Sequence, residues 1–271
     1  MKLYSRDFNV LTEEELQAWE IIKEREVRKK PDGTPSVLSF SLSHEYPEAV
    51  RHYESLFPNN SVDAIGLRKR LELLKTQLDE FKNLIDLGTT TERDVLNFIK
   101  DNEAYFIIGS ILKRNYRFGH HSLYVFPELM LYPNFRVDYL LVGKNSGGHE
   151  FVFVELENIY NSITKADGYF GGTARKGLEQ IEDWDSWIDS DFDKLELLFE
   201  AIKSKMIELP TEFRRLDKTR IHYCVVTGRR NDFNETTYRQ KRKLSQNYKT
   251  LLIHYDNLID FSNDFIKEPI F

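Results

Sequence analysis

Hydrophobic positions change their period along this chain, and the changes predict its elements. The first sixty residues combine a charged helical stretch, "TEEELQAWEIIKEREVRKK", with a turn, "KPDGTPS", and an irregular run rich in Pro, His and Tyr that offers no chemistry. Leu67, Leu71, Leu74, Leu78, Phe81 and Ile85 then recur at alternating steps of four and three, a heptad seam that predicts a helix over about 62–87. Such a seam needs a partner, either the chain's own domain or a second copy of the chain. "DLGTTTERD" follows with a glycine stop and a threonine cap. A boundary near residue 88 is expected, dividing the chain into an N-terminal region over 1–88 and a second domain over 89–271.

Beyond that point the period alternates between helix and strand. "TERDVLNFIKDNEAYFIIGSILK" has helical spacing, whereas "LYVFPELML", "FRVDYLLVG" and "FVFVELENI" have the β-branched and aromatic content of strands. "TARKGLEQIEDWDSWIDS" and "LELLFEAIKSKM" return to helix. "IHYCVVTG" is a short strand, "NETTYRQKRKLSQNY" a basic helix and "TLLIHYD" a last strand. The order predicts a mixed α/β fold in which an antiparallel three-strand meander is followed by a helical crossover to further strands.

Composition narrows the function classes. With 271 residues, 41% hydrophobic and 30% charged, the chain is too apolar for disorder and long enough for one large domain or a domain with an appendage. No apolar run approaches the ~20 residues of a membrane helix, and the start lacks an export signal core. The single cysteine, Cys224, leaves no internal disulfide, so a cytoplasmic setting is expected. A net charge of -6 argues against a coat for nucleic acid, yet the stretch from Arg214 to Lys249 holds eleven Lys or Arg against three acids. Arg229, Arg230, Lys241 and Arg242 in that stretch are candidates for contact with DNA phosphates, with a plain solvated face as the alternative.

The two predicted strands "FRVDYLLVG" and "FVFVELENI" carry three acids where burial disfavours charge. Alternation puts Glu155 and Glu157 on one face and Val154 and Leu156 on the other. "KNSGGHE" reads as a hairpin connection, which brings Asp138 near that pair in a register the sequence does not fix. Close carboxylates repel unless one takes a proton or a cation neutralises them, and a hard divalent cation, Mg²⁺ or else Mn²⁺, suits oxygen ligands. The plainer alternative is a solvated strand edge. Lys176, Gln180 and Trp184 follow at steps of four on one helix face, which aims a cation and an amide at the acids if that helix covers the meander.

An Asp, a Glu at the end of a second strand and a helix with Q-x-x-x-aromatic form the order of a PD-(D/E)XK nuclease core. "TERDVLNFIKDNEAYFI", "FRVDYLLVG", "FVFVELEN", "GLEQIEDW", "HYCVVTGRR" and "TLLIHYDNLIDF" resemble, in order and spacing, the Shedu-type antiviral nuclease family over roughly residues 90–262. The resemblance implies a restriction-endonuclease-like core of helix, antiparallel three-strand meander, helix and strand behind a mainly helical N-terminal region. It implies metal-dependent DNA cleavage in prokaryotic defence against phage, with DNA as the partner and residues 1–88 as an accessory or regulatory region. The heptad helix makes a second copy of the chain a further candidate partner, and no membrane is expected. Asp138 and Glu155 match the metal-binding acids, Gln180 the supporting glutamine and Glu92 the acid of the opening helix, which can approach the metal. Glu92 reads equally as a first-turn acid favoured by the helix dipole. Arg136, two residues before Asp138, joins the DNA-contact candidates.

Residue 157 departs from that pattern, with glutamate where the family's motif commonly has lysine. A carboxylate there accepts a proton or holds a second metal, and Lys176 is a candidate to replace the missing cation. The alternative is a nuclease fold with weakened catalysis that serves as a DNA-end or protein-binding module. His120 and His121 point to opposite sides of an extended chain, "GGTARKG" lacks the ending of a phosphate loop, and Cys224 lies in an apolar strand as a packed thiol.

Overall fold

The computed structural model describes residues 2–26, 45–160, 162–165 and 167–270. The expected "KPDGTPS" turn and the end of the charged helix lie outside these residues. The N-terminal helices are α1 (Glu13–Glu26), α2 (Pro47–Glu54), α3 (Ala64–Arg68) and α4 (Leu71–Asp86). They are followed by α5 (Glu92–Asp101), α6 (Phe106–Asn115), β1 (Ser122–Leu131), β2 (Phe135–Asn145) and β3 (Gly148–Leu156). The rest is α7 (Gly172–Ile202), α8 (Thr211–Arg214), β4 (Ile221–Val226), α9 (Glu235–Tyr248), β5 (Thr250–Ile253) and α10 (Tyr255–Lys267). The mixed α/β architecture agrees with the sequence reading.

The five strands form one sheet in the order β1-β2-β3-β4-β5. β1, β2 and β3 make the antiparallel meander, and β4 and β5 join parallel to β3 after the α7 crossover. Strand alternation divides the sheet's side chains between two cores. Val152, Val154 and Leu156 face α4, α5, α6 and α10, whereas Phe151, Phe153 and Leu140 face α7. No helix among the described residues is long and apolar enough to cross a membrane.

Two predicted helices are broken. The heptad segment splits after α3, where Asp63 caps the short helix by accepting from the Ile65 and Gly66 N–H groups, and α4 begins afresh at Leu71. Leu74, Leu78, Phe81 and Ile85 are buried within this chain, against α5, α6 and α10. The "TERDVLNFIKDNEAYFIIGSILK" segment divides into α5 and α6 at Glu103, whose φ of 50° follows the helix C-cap. Residues before 88 enter both cores. Phe57 is fully buried within 5.1 Å of the Phe126 ring and 5.6 Å of Phe199 on α7.

Candidate active site: a carboxylate cleft under helix α7

Tyr139 pairs with Val154, so the next positions outward bring Asp138 alongside Glu155 on the α7 face. The backbone ladder stops there. Asp138 Oδ2 instead accepts the Leu156 N–H at 2.8 Å, so a side chain does the work of a strand carbonyl and points the carboxylate along the end of β3. Glu157 lies just past the strand. Its N–H donates to Val226 O at 2.8 Å, and its carbonyl accepts the buried Tyr255 hydroxyl at 2.8 Å. These bonds fix the backbone that carries Glu155 and Glu157.

Helix α7 crosses this strand end at Gly177. A Cβ built there meets Glu157 Cγ and Val225 Cγ1 at 3.0 Å, so glycine allows the close approach. One residue earlier, Lys176 Nζ lies 2.9 Å from Glu157 Oε1. Glu92 reaches the same place from the first turn of α5, whose Thr91–Asp94 capping box sets the helix entry. Two adjoining hollows of about 500 and 560 Å³ share Glu92 and Lys176; Asp138, Glu155 and Gln180 line the first and Glu157 the second.

The electrostatics of the cleft are unbalanced. Glu155 and Glu157 are each only 3% exposed, whereas the Lys176 side chain is 63% exposed. Burial, opposed by the Leu156 N–H and reinforced by Glu92 and Glu157, raises Asp138 to about 7. Burial and then the charges of Asp138 and Glu157 raise Glu155 to about 10. Glu157 also rises through burial, against the pull of Lys176. For Lys176 partial burial acts downward, but the bond to Glu157 and the field of Glu92 and Glu155 lift it overall. One exposed ammonium therefore does not neutralise the group.

Glu155 Oε2 is buried without a hydrogen-bond partner, and an orphaned carboxylate oxygen is expensive unless a proton or cation meets it. Among the described residues no three His, Cys, Asp or Glu side chains are arranged to hold a metal ion. Mg²⁺ commonly binds through only one or two carboxylates, completing its shell with water and phosphate oxygens. The adjacent, under-neutralised Asp138 and Glu155 fit that requirement.

The cleft thus gathers Asp138, Glu155, Glu157, Glu92, Lys176, Gln180 and Arg136. Four other DNA-contact candidates lie apart from it. Arg229 donates to Ile85 O at 2.5 Å, Asp86 Oδ1 at 2.7 Å and both carboxylate oxygens of Asp256, at 3.1 and 2.9 Å. Arg230 is paired with Asp260 at 2.5 Å. Lys241 is half-buried near Cys224, where desolvation lowers its pKa, and Arg242 is exposed on α9. His120 and His121 sit together on the surface away from the acids, and burial raises the inert Cys224 thiol to about 12.

Sequence reasoning missed Gly177, Tyr255 and Arg93, of which Arg93 lines the second hollow. The signal for Gly177 was present, since a glycine inside an otherwise helical "KGLEQ" marks close backbone approach. Comparison with curated proteins and with solved structures gave no match. A family model described as "Shedu protein SduA, C-terminal" matches residues 89–259, well over half of the chain. The chain belongs to the Shedu family.

Proposed function

We propose that this protein is a metal-dependent DNA endonuclease of prokaryotic anti-phage defence, acting in the cytoplasm through a PD-(D/E)XK-type site. Membership of the Shedu family supports the defence role. The observation that carries the chemistry is the convergence of Asp138, Glu155 and Glu157 under α7 with all three carboxyls displaced upward despite the Lys176 ammonium beside them.

Asp138 and Glu155 would hold Mg²⁺ or Mn²⁺, with Glu92 lining the same hollow. A divalent ion bound there supplies Lewis acidity toward a phosphodiester. Glu157 stands where the superfamily's motif commonly has lysine, but Lys176 arrives from the helix to within 2.9 Å of it. The cation is delivered by a different element. Glu157 holds Lys176 in place and would take the proton that the attacking water loses, while the ammonium offsets negative charge on the phosphoryl group. Gln180 contributes an amide to the same wall of the cleft.

The test is incubation of the purified full chain with plasmid and linear DNA in Mg²⁺, Mn²⁺ or a chelator. Metal-dependent cleavage that disappears in Asp138→Ala and Glu155→Ala supports the enzyme. DNA binding without cleavage in any metal, unchanged by those substitutions, identifies a binding module instead.

A further inference from the structure

Three non-glycine residues among those described have φ in the left-handed region: Glu103, Lys249 and Glu128. The first two follow helix C-termini, where that conformation is ordinary. Glu128 is different, because it lies inside β1 with φ 49°. A side chain is strained there, and strain inside a strand points to a function.

The register locates the distortion. Pro127 pairs with Tyr139 and Leu129 with Val137, and the position skipped is the one across from Asp138. In a regular strand Glu128 would share a face with Asp138 and add another carboxylate to the cleft. Instead, its Oε1 lies 3.2 Å from Arg93 Nη1 on α5 and 3.5 Å from Arg136 Nη1 on β2. One carboxylate serves two arginines, whose side chains remain 54% and 51% exposed. Arg93 lines the hollow containing Glu157, and Arg136 the one containing Asp138 and Glu155, so the pair flanks Glu92 at the cleft mouth.

Resting on the nuclease reading, we propose that Arg93 and Arg136 form a phosphate-binding pair for the DNA backbone next to the acids, and that Glu128 is the positioning residue that occupies them in its absence. Guanidinium groups suit phosphate oxygens, and a DNA strand entering an acidic cleft needs cations beside it. The proposal also accounts for the strand distortion, which turns Glu128 from the acids toward the arginines. Glu128 competes with phosphate for both guanidinium groups.

The experiment measures duplex DNA affinity of the full chain over a KCl series, with Ca²⁺ replacing Mg²⁺, alongside wild-type cleavage in Mg²⁺. Arg93→Met and Arg136→Met are each expected to weaken binding several-fold and to reduce the log–log salt slope by about 1. Glu128→Gln is expected to tighten binding, and Glu128→Gly, which accepts the left-handed backbone, to do the same. A purely structural ion pair predicts no gain in either Glu128 variant. Wild-type cleavage together with unchanged salt slopes in both arginine variants, or no tightening in either Glu128 variant, overturns this assignment and leaves the nuclease reading standing. Wild type that neither binds nor cleaves DNA overturns both.

Discussion

Two charge clusters of this protein look alike in composition and differ in balance. Around Arg229, a cation is surrounded by Asp86, Asp256 and the Ile85 carbonyl; its pKa moves up, chiefly through the bond to Asp256, and Asp256 moves down because its bonds to Arg229 and Arg230 outweigh burial. Each charge stabilises the other, and the cluster ties the end of α4 to the start of α10. Around Glu155 the shifts all run against ionisation of the acids. The first cluster is complete within the chain, whereas the second needs a proton or cation from outside. A buried charge group that favours its ionised form is read as structure, and one that disfavours it as a site.

The sharpest way to break the comparison is at the acids. Asp138→Ala and Glu155→Ala should each lower DNA cleavage by at least ~100-fold while the chain stays folded. Lys176→Met should lower cleavage by ~10–100-fold, and unchanged cleavage would remove Lys176 from the mechanism. Equivalent losses from Arg229→Met without loss of stability would erase the distinction between the clusters.

Stability should separate them next. Arg229→Met leaves Asp86 and Asp256 without their main partner and should destabilise by about 3 kcal/mol, read by denaturant unfolding. Glu155→Gln should act in the opposite direction. Its carboxyl is raised from about 4.5 to about 10, so its contribution is fully present below pH 4.5 and is lost as pH rises toward 10. In chelator at pH 8 the glutamine variant should therefore be more stable than wild type, by a difference on the order of 3 kcal/mol. Mg²⁺ should raise the wild-type Tm and leave that of the variant nearly unmoved.

A smaller effect comes from two buried histidines: His149, beside Glu212, and His254, whose Nδ1 lies 3.7 Å from Asp256 Oδ2 at the edge of the Arg229 cluster. Burial lowers His149 and His254 from 6.5 to about 4, so the neutral rings favour the fold above pH 6.5 and that contribution is lost as pH falls through 4. Each should remove up to about 3 kcal/mol over that window. Replacing either with Gln should flatten the stability profile between pH 6.5 and 4.

The sequence showed much of the fold because strand alternation and helix spacing are local. The parity of Glu155 and Glu157, the Lys176–Gln180 face and the meander all followed from periods of two and four. What it concealed was non-local. The "GRR" after β4 has the same appearance whether it faces DNA or Asp86 and Asp256, and only the docking of α4 and α10 decides. The break before Leu71 and the turn at Glu103 depend on caps that apolar spacing does not reveal. Nor does the left-handed Glu128 have a sequence signal, since glutamate is a poor choice for that backbone. Phe57 and Phe81 were similarly opaque: both lie before residue 88, yet one packs beneath α7 and the other beneath α10. Removing residues 1–88 would open both cores.

Gly177 gives the site something like a machined clearance. With a hydrogen in place of a methyl group, the helix backbone itself becomes the spacer between Lys176 and the strand end, and a methyl group there would force Glu157 or Val225 to give way by a few tenths of an ångström. Alanine at 177 would act as a shim, shifting the ammonium relative to the acids without altering any charged group. Position 177 is thus a mechanical adjustment for the cleft, through which the spacing of its charges can be changed while their chemistry is held constant.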